Sequence, residues 1–523
     1  MPPRRWTSTT DDHMYEEFSR RLIEMILNGE ITTRGQFQNR KVWLCKDFGL
    51  DTVPPNSEIL KHVKPEERKK VVPFLQKKPM RTLSGVAVVA VMTSPHPCPH
   101  GKCLYCPGGV ENNSPQSYTG KEPAARRAER NEFDPYKQVT DRIQQLEAIG
   151  HMTDKIDLII MGGTFTCREE EYQTWFVKRC FDAMNGKDAP DIETAQEWNE
   201  TAEHRCIGLT VETRPDVFDD SQIERSMMLG ATRVELGVQI LDDDILRSVD
   251  RGHGIKEVIE GTKRCKDHGL KICYHIMPGL PWSSPEKDME CFRRVFDDDD
   301  FRPDMLKFYT TLVVSGTKLY DMWKAGEYEP YDVEKATALI ADMKAIVPEY
   351  VRIQRIQRDI PAPQISAGIL KSNLRQLVEG RLKETGRECR CIRCREVGQN
   401  DVSLDDPGKV ILNDMVYTAS GGEEHFINYT YDDKLIGYVR LRLDDSDMAT
   451  IRELKVFGRM AKIGKDGEDW QHRGFGKELV SEAERIAKEK GCASIRITSG
   501  VGVRGYYRML GYELSRPYMV KTL

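Results

Sequence analysis

Cys98, Cys103 and Cys106 stand in the run His96-Pro97-Cys98-Pro99-His100-Gly101-Lys102-Cys103-Leu104-Tyr105-Cys106-Pro107-Gly108-Gly109. Three thiols this close, with no fourth cysteine beside them, suit an iron–sulfur cluster, because thiolates are its preferred ligands. A 4Fe-4S cubane held by three cysteines keeps one iron open to a small molecule, and chemistry would occur there. The competing reading is a structural zinc knuckle with His96 or His100 as fourth ligand. A second group, Cys389, Cys391 and Cys394, lies in the hydrophilic segment 371–400 and has the tight spacing of a structural zinc site, without an identifiable fourth ligand.

Near the other end, Gln471-His472-Arg473-Gly474-Phe475-Gly476 opens a helix-length segment that runs to about Lys490. The pattern Q-x-x-G-x-G at a helix start offers consecutive backbone N–H groups, which suits the pyrophosphate of a coenzyme A. A strand, Ser494–Thr498, follows, and then Gly505-Tyr506-Tyr507-Arg508-Met509-Leu510-Gly511-Tyr512. The phenols of Tyr506 and Tyr507 are candidates to donate a proton to a departing thiolate; ordinary aromatic packing is the alternative for either.

The whole chain bounds these chemistries. Its 523 residues exceed one compact core and suggest about three domains. Hydrophobic residues make up 39% and charged residues 31%, and no apolar run reaches the roughly 18 residues of a membrane span. The start, Met1-Pro2-Pro3-Arg4-Arg5-Trp6, lacks a secretory apolar stretch, so the expected location is the cytoplasm with no membrane. Fourteen cysteines in two tight clusters plus singles such as Cys180 and Cys265 fit metal sites in a reducing compartment better than a disulfide scaffold. The net charge of −5 gives no overall hint of nucleic acid. Locally, eight Lys/Arg between Lys61 and Arg81 stand against Glu66 and Glu67, and seven basic residues between Arg375 and Arg395 stand against three acids. Such stretches can neutralise phosphates, although solvated helix faces look the same.

These groups need a frame. Phe18, Leu22, Ile23, Met25 and Ile26 mark an amphipathic N-terminal helix. From Val86 onward apolar strands alternate with helix-length segments: Val86–Met92, Leu158–Met161, Ile207–Val211, Val234–Val238, Ile272–Ile276 and Leu306–Tyr309, with helical patterns at Tyr136–Ile149, Ile223–Leu229 and Ile255–His268. This alternation predicts a parallel sheet closed or partly closed into a barrel. Ligands then meet the loops after the strands' C-terminal ends. Those exits hold the cysteine loop, Gly162-Gly163-Thr164, Glu212-Thr213-Arg214-Pro215, Glu235 with Gly237 and Gln239, and Met277-Pro278-Gly279-Leu280-Pro281. Ile436–Leu443 and Ala449–Phe457 predict strands of a separate C-terminal domain.

The cysteine loop resembles that of the radical S-adenosylmethionine (SAM) superfamily, with C-x4-C-x2-C in place of the commoner C-x3-C-x2-C. Together with Met161-Gly162-Gly163-Thr164-Phe165, Val211-Glu212-Thr213-Arg214-Pro215-Asp216 and a C-terminal part similar to GNAT acetyltransferases, it resembles the Elongator catalytic-subunit family in its archaeal or bacterial stand-alone form, from about residue 60 to the end. The resemblance implies an α/β multidomain fold: an N-terminal helical, basic tRNA-binding segment (1–80), a partial (β/α) radical SAM barrel with its cluster (81–365), a basic Cys-rich zinc-type linker (366–405) and a GNAT acetyl-CoA domain (406–523). It implies a tRNA-modifying enzyme that forms 5-carboxymethyluridine at wobble uridine 34, with acetyl-CoA as carbon donor and SAM as radical source. The implied cluster ligands are Cys98, Cys103 and Cys106. Gly162, Gly163 and Glu212 fall to the SAM side, and Cys389, Cys391 and Cys394 to zinc.

Acetyl-CoA contacts are implied at Lys155, at Glu453, Leu454, Lys455, Val456, Phe457 and Gly458, at Trp470, Gln471, His472, Gly474 and Gly476, and at Tyr507, beside which Tyr506 is the other candidate acid. From sequence Lys155 is merely a surface lysine before a strand. Lys77-Lys78-Pro79-Met80-Arg81 would hold the tRNA anticodon stem-loop. An electron donor of unstated identity is implied, and a homodimer or Elongator-like partner subunits are left open. The alternative is a protein or histone lysine acetyltransferase with a structural Fe-S domain; an RNA-binding scaffold with relic sites is disfavoured because both motifs are intact.

Overall fold

A computed structural model of the chain describes residues 9–50, 52–77, 85–400, 406–458 and 474–523. The N-terminal unit packs helices Thr9–Leu27, Arg34–Asp47, Asn56–Lys61 and Arg68–Leu75. Phe18, Leu22, Ile23, Met25 and Ile26 turn inward together, at the i, i+3, i+4 spacing of one helical face, and meet Phe37, Leu44, Ile59 and Leu75.

The middle of the chain forms strands β1 (Ala87–Met92), β2 (Lys155–Met161), β3 (Arg205–Thr213), β4 (Arg233–Gln239), β5 (Lys271–Ile276), β6 (Met305–Phe308), β7 (Val313–Val314), β8 (Arg352–Arg355) and β9 (Ile365–Ala367). All but β7 and β9 join one parallel sheet in the order β1-β2-β3-β4-β5-β6-β8. Strands follow in chain order with helices returning between them, and β1 does not pair with β8, so the barrel is open along one side. Side chains alternate: Ile156, Leu158 and Ile160 of β2 are buried against the helix layer, while Lys155, Asp157 and Met161 face the other way into the lumen. The register sets Glu212 beside Glu235, Glu235 beside Cys273, and His275 beside Lys307. The lumen is therefore lined with charge rather than filled with the branched apolar layers of a closed barrel.

The C-terminal sheet holds β10 (Val410–Ala419), β11 (Gly422–Tyr431), β12 (Lys434–Leu443), β13 (Met448–Val456), β14 (Ser494–Ile497), β15 (Glu513–Ser515) and β16 (Tyr518–Thr522), ordered β10-β11-β12-β13-β14-β16-β15. Only β13 and β14 pair in parallel, and only over Met448–Ile451. Beyond Ile451 the two strands part, and the helix Phe475–Glu489 begins at the opening. A bulge between Arg440 and Leu441 leaves Arg452 as the extra residue of β13.

The two sheets are joined by buried ion pairs. Arg452 donates to both oxygens of Asp304, at 2.7 and 2.6 Å, and to Glu424 at 2.9 Å. Arg440 donates to the Tyr350 carbonyl at 2.7 Å, Arg442 reaches Asp267 at 2.6 Å, and Lys266 lies 3.6 Å from Glu424.

Candidate active site

The cysteine loop follows β1 and closes over the C-terminal ends of the strands, where a cavity of about 110 Å³ is lined by Cys98, Cys103, Cys106, Gly163, Thr164, Glu212, Arg214, Gln239 and Arg251. The three sulfurs do not gather within 4.8 Å of one another, whereas those of Cys389, Cys391 and Cys394 do. That wider spread is compatible with the separated ligands of a multi-iron cubane. His100 Nε2 lies 3.2 Å from Cys103 Sγ; burial, then Arg214 and Arg251, push its pKa down to about 4, so the ring is neutral.

Gly162 and Gly163 follow β2 with φ of 151° and 83°. A Cβ on Gly162 would sit 2.0 Å from Thr93 Oγ1, and one on Gly163 2.8 Å from the Gln116 carbonyl. Both positions therefore demand glycine, but only Gly163 lines the cavity. Glu212 is buried and accepts the Tyr118 hydroxyl at 2.6 Å.

Glu235 and His275 also line this cavity from the lumen; Glu235 Oε2 lies 2.7 Å from His275 Nε2 and also pairs with Lys307. Burial alone would raise the Glu235 pKa; Lys307 and His275 outweigh it and hold the carboxyl ionised. Further down, Arg233 meets Asp157 at 3.1 Å.

At the opposite, N-terminal ends of the strands lies a cavity of about 570 Å³. One wall is barrel: Lys155, Asp157, Gly208, Arg233 and Lys271. The other is C-terminal domain: Glu453, Leu454, Lys455, Val456, Gly474, Phe475, Gly476, Tyr506 and Tyr507. Gly474 has φ 92° at the N-cap of helix Phe475–Glu489, whose first N–H groups face the cavity side. Lys155 is half-buried at the start of β2, not the surface lysine that its sequence context suggests, and burial lowers its pKa. Burial followed by Arg352 brings Lys455 down to about 8, while Lys271 and Arg440 overcome burial to hold Glu453 at about 2. Tyr507 is buried, which raises its pKa and keeps the phenol protonated, and its ring lies 5.3 Å from that of Tyr506.

Two expected contacts fall elsewhere. Phe457 is fully buried, its ring 6.0 Å from Tyr438 and under the Arg352 guanidinium, and neither it nor Gly458 lines the cavity. Trp470, Gln471, His472, Lys78, Pro79, Met80 and Arg81 lie outside the described residues. Among the described residues no fourth His, Cys, Asp or Glu joins Cys389, Cys391 and Cys394; Lys344 Nζ lies 3.9 Å from Cys394 Sγ. Sequence reasoning missed Arg233, Lys271, His275, Lys307, Gln116 and Arg251. The signal for the first four was period-2 charge, as in Arg233-x-Glu235 and Lys271-x-Cys273-x-His275, which aligns one strand face on the lumen.

Residues 15–83 match the ELP3 N-terminal domain, 94–292 the Radical SAM superfamily, 303–384 the Radical_SAM C-terminal domain and 397–512 the Acetyltransferase (GNAT) family. The chain is 52% identical over 490 residues, 90% of each chain, to a Methanocaldococcus jannaschii protein named tRNA uridine(34) acetyltransferase. It is 43% identical over 498 residues, 91% of each, to Homo sapiens Elongator complex protein 3. The solved structure of archaeal Methanocaldococcus infernus Elp3 with N-terminus deletion (1-46) superposes with a TM-score of 0.75 at 47% identity, covering 84% of this chain and 100% of that one.

Proposed function

Because the chain belongs to the Elongator protein 3 family, which joins a radical SAM barrel to a GNAT domain, we propose that it is a tRNA wobble-uridine carboxymethyl transferase, forming 5-carboxymethyluridine at position 34 from acetyl-CoA and SAM. The observation that carries this reading is the pair of cavities at the two ends of one barrel: a three-sulfur pocket at one end, and at the other a cleft walled by both domains. A protein acetyltransferase would have no use for half its acyl-CoA pocket being built by a radical SAM barrel.

The residues divide the work. Cys98, Cys103 and Cys106 hold the 4Fe-4S cluster, with Gly163, Gly162 behind it, and Glu212 shaping the SAM side. When bound, cluster and SAM supply a 5′-deoxyadenosyl radical competent to take hydrogen from the acetyl methyl group. Lys155, Lys455, Lys271 and the N–H groups after Gly474 and Gly476 face the anionic acyl-CoA. Glu453, Leu454 and Val456 complete the C-terminal wall. Tyr507, protonated and buried, gives its proton to the coenzyme A thiolate as the thioester is hydrolysed, with Tyr506 packed beside it. The proposed division of the chain is 1–80 for tRNA binding, 81–365 for radical chemistry, 366–405 for zinc and 406–523 for acetyl-CoA. The anticodon stem-loop meets the basic N-terminal segment, a separate reductant feeds the cluster, and fourteen cysteines outside any disulfide suit a reducing cytoplasm. Cys389, Cys391 and Cys394 bind one zinc, which metal analysis of a Cys391→Ser variant tests.

Anaerobic incubation with SAM, acetyl-CoA, reductant and unmodified tRNA, followed by nucleoside mass spectrometry, tests the activity. Carboxymethyluridine that requires SAM and disappears in Cys103→Ser is expected. Acetylated lysines with no modified base would overturn the reading.

A further inference from the structure

The sulfurs of the cysteine loop are each met by a polar group from elsewhere in the loop or barrel. Thr164 Oγ1 lies 3.4 Å from Cys98 Sγ, and Gln116 Nε2 donates to Cys106 Sγ at 3.1 Å. Cys103 Sγ has His100 Nε2 and, 3.7 Å away, Nη1 of Arg251. Arg251 is the only permanent charge among these groups, and it is 7% exposed.

The fold goes to some length to hold it there. Arg251 follows Asp250, which has φ 54°, and precedes Gly252, where φ is 76° and a Cβ would meet His100 Cβ at 2.9 Å. The Leu104 N–H donates to the Val249 carbonyl at 3.0 Å, tying this turn to the cysteine loop. Arg214 donates to the Arg251 carbonyl at 2.8 Å, but its own charge is balanced by Asp216 at 2.9 and 2.7 Å. The hydrogen bonds of Arg251 go instead to sulfur and to the Gly237 carbonyl at 2.5 Å, and its Nε has no partner. Its charge is left for the cysteine side of the cavity.

We propose that Arg251 is a positioning residue that sets the reduction potential of the cluster through a charge-assisted hydrogen bond to the Cys103 thiolate. Hydrogen bonds to the sulfurs and nearby charge are what tune such clusters. Each electron taken up adds negative charge to a thiolate-ligated cluster, and a fixed guanidinium in a dry wall favours that state. Lowering the potential of a cluster that must reduce a bound sulfonium would make electron entry harder, so the residue matters to the reaction without touching the substrate.

The inference rests on the cluster assignment, and the test separates the two. Full-length chain, Arg251→Gln and Arg251→Lys are reconstituted anaerobically; iron and sulfide are counted, and the cluster is titrated by EPR at poised potentials without tRNA or acetyl-CoA. At a fixed potential Arg251→Gln is expected to show an about tenfold lower ratio of reduced to oxidised cluster, equal to about 59 mV for one electron, while Arg251→Lys stays close to the parent. Equal ratios in all three refute the proposal. Should Arg251→Gln fail to load iron, loading of Arg251→Lys supports a role for the charge, and failure of both reduces Arg251 to a purely structural part. A parent chain with no iron–sulfur signal would instead sink the cluster assignment itself.

Discussion

Replacing Asp304 with Asn is expected to weaken the joint between barrel and C-terminal sheet by about 3–5 kcal/mol, the usual cost of breaking a buried ion pair from one side. The Asp304 carboxylate is fully buried and accepts from Arg452 Nη1 and Nη2 at 2.7 and 2.6 Å and from the Ile272 N–H at 2.9 Å, with Arg440 Nη1 3.5 Å away. Burial would push its pKa up, but Arg452, Lys266 and Arg440 outweigh burial and keep it ionised. An amide at this position turns an N–H pair toward Arg452 and leaves the buried guanidinium with Glu424 as its one carboxylate partner. At about 1.36 kcal/mol per decade the opening equilibrium rises roughly a hundredfold to several thousandfold. Hydrogen exchange resolved by mass spectrometry reads this directly in β5, β6 and β13, with the Ile272 amide as the nearest reporter. Adding Arg452→Met to Asp304→Asn removes the guanidinium left facing the amide, so the double variant exchanges more slowly than the two single effects predict. Unchanged exchange in these strands, or strict additivity, would refute the argument that one buried carboxylate holds the joint.

Acetyl-CoA binding should depend on pH through Lys455. Its pKa is lowered to about 8 in the unliganded cavity, so the side chain is cationic below that pH and neutral above it. By calorimetry the Kd rises as pH goes from about 7 to about 9, and Lys455→Arg flattens the profile; a profile unaffected by that substitution removes Lys455 from the binding site. Gly163→Ala pays about 1–2 kcal/mol for its left-handed backbone and also drives a Cβ toward the Gln116 carbonyl, so SAM affinity and iron loading fall together. Gly186→Ala, at φ 68° with nothing within 4 Å of its Cβ, pays only the backbone cost and leaves both unchanged. Equal behaviour of the two variants would show that the close approach at Gly163 is immaterial.

What could be read from sequence was whatever left an apolar run or a fixed spacing. The expected Ile255–His268 helix is Ile255–Asp267, and the expected Val86–Met92 strand is Ala87–Met92. Strands whose lumen faces are polar were cut short: Leu158–Met161 is in fact Lys155–Met161, because Lys155 and Asp157 interrupt the run, and Ile207–Val211 extends to Arg205–Thr213. β8, reading Arg-Ile-Gln-Arg, has no run at all and passed unseen. The cysteine loop was legible because its three cysteines are neighbours in the chain. The second cavity was half legible, since its GNAT wall follows motif spacing while Arg233 and Lys271 reach it only through sheet register. The Asp304 and Arg452 pairing joins positions far apart in sequence, and no local pattern could announce it.

The cleft of about 570 Å³ belongs to neither domain alone. Lys155, Asp157, Arg233 and Lys271 come from one domain and Glu453, Lys455 and Tyr507 from the other, while Arg440, Arg442 and Arg452 of the C-terminal sheet bond across to the Tyr350 carbonyl, Asp267 and Asp304 of the barrel. A C-terminal fragment expressed by itself would therefore present a half-built cleft and a newly exposed sheet whose three arginines keep Glu424 and Glu453 but have lost their barrel partners. Its inactivity, or its indiscriminate affinity for polyanions, would report on the cut and not on the enzyme. Assigning roles to the two walls thus calls for point substitutions in the intact chain, because dissection destroys the object it sets out to measure.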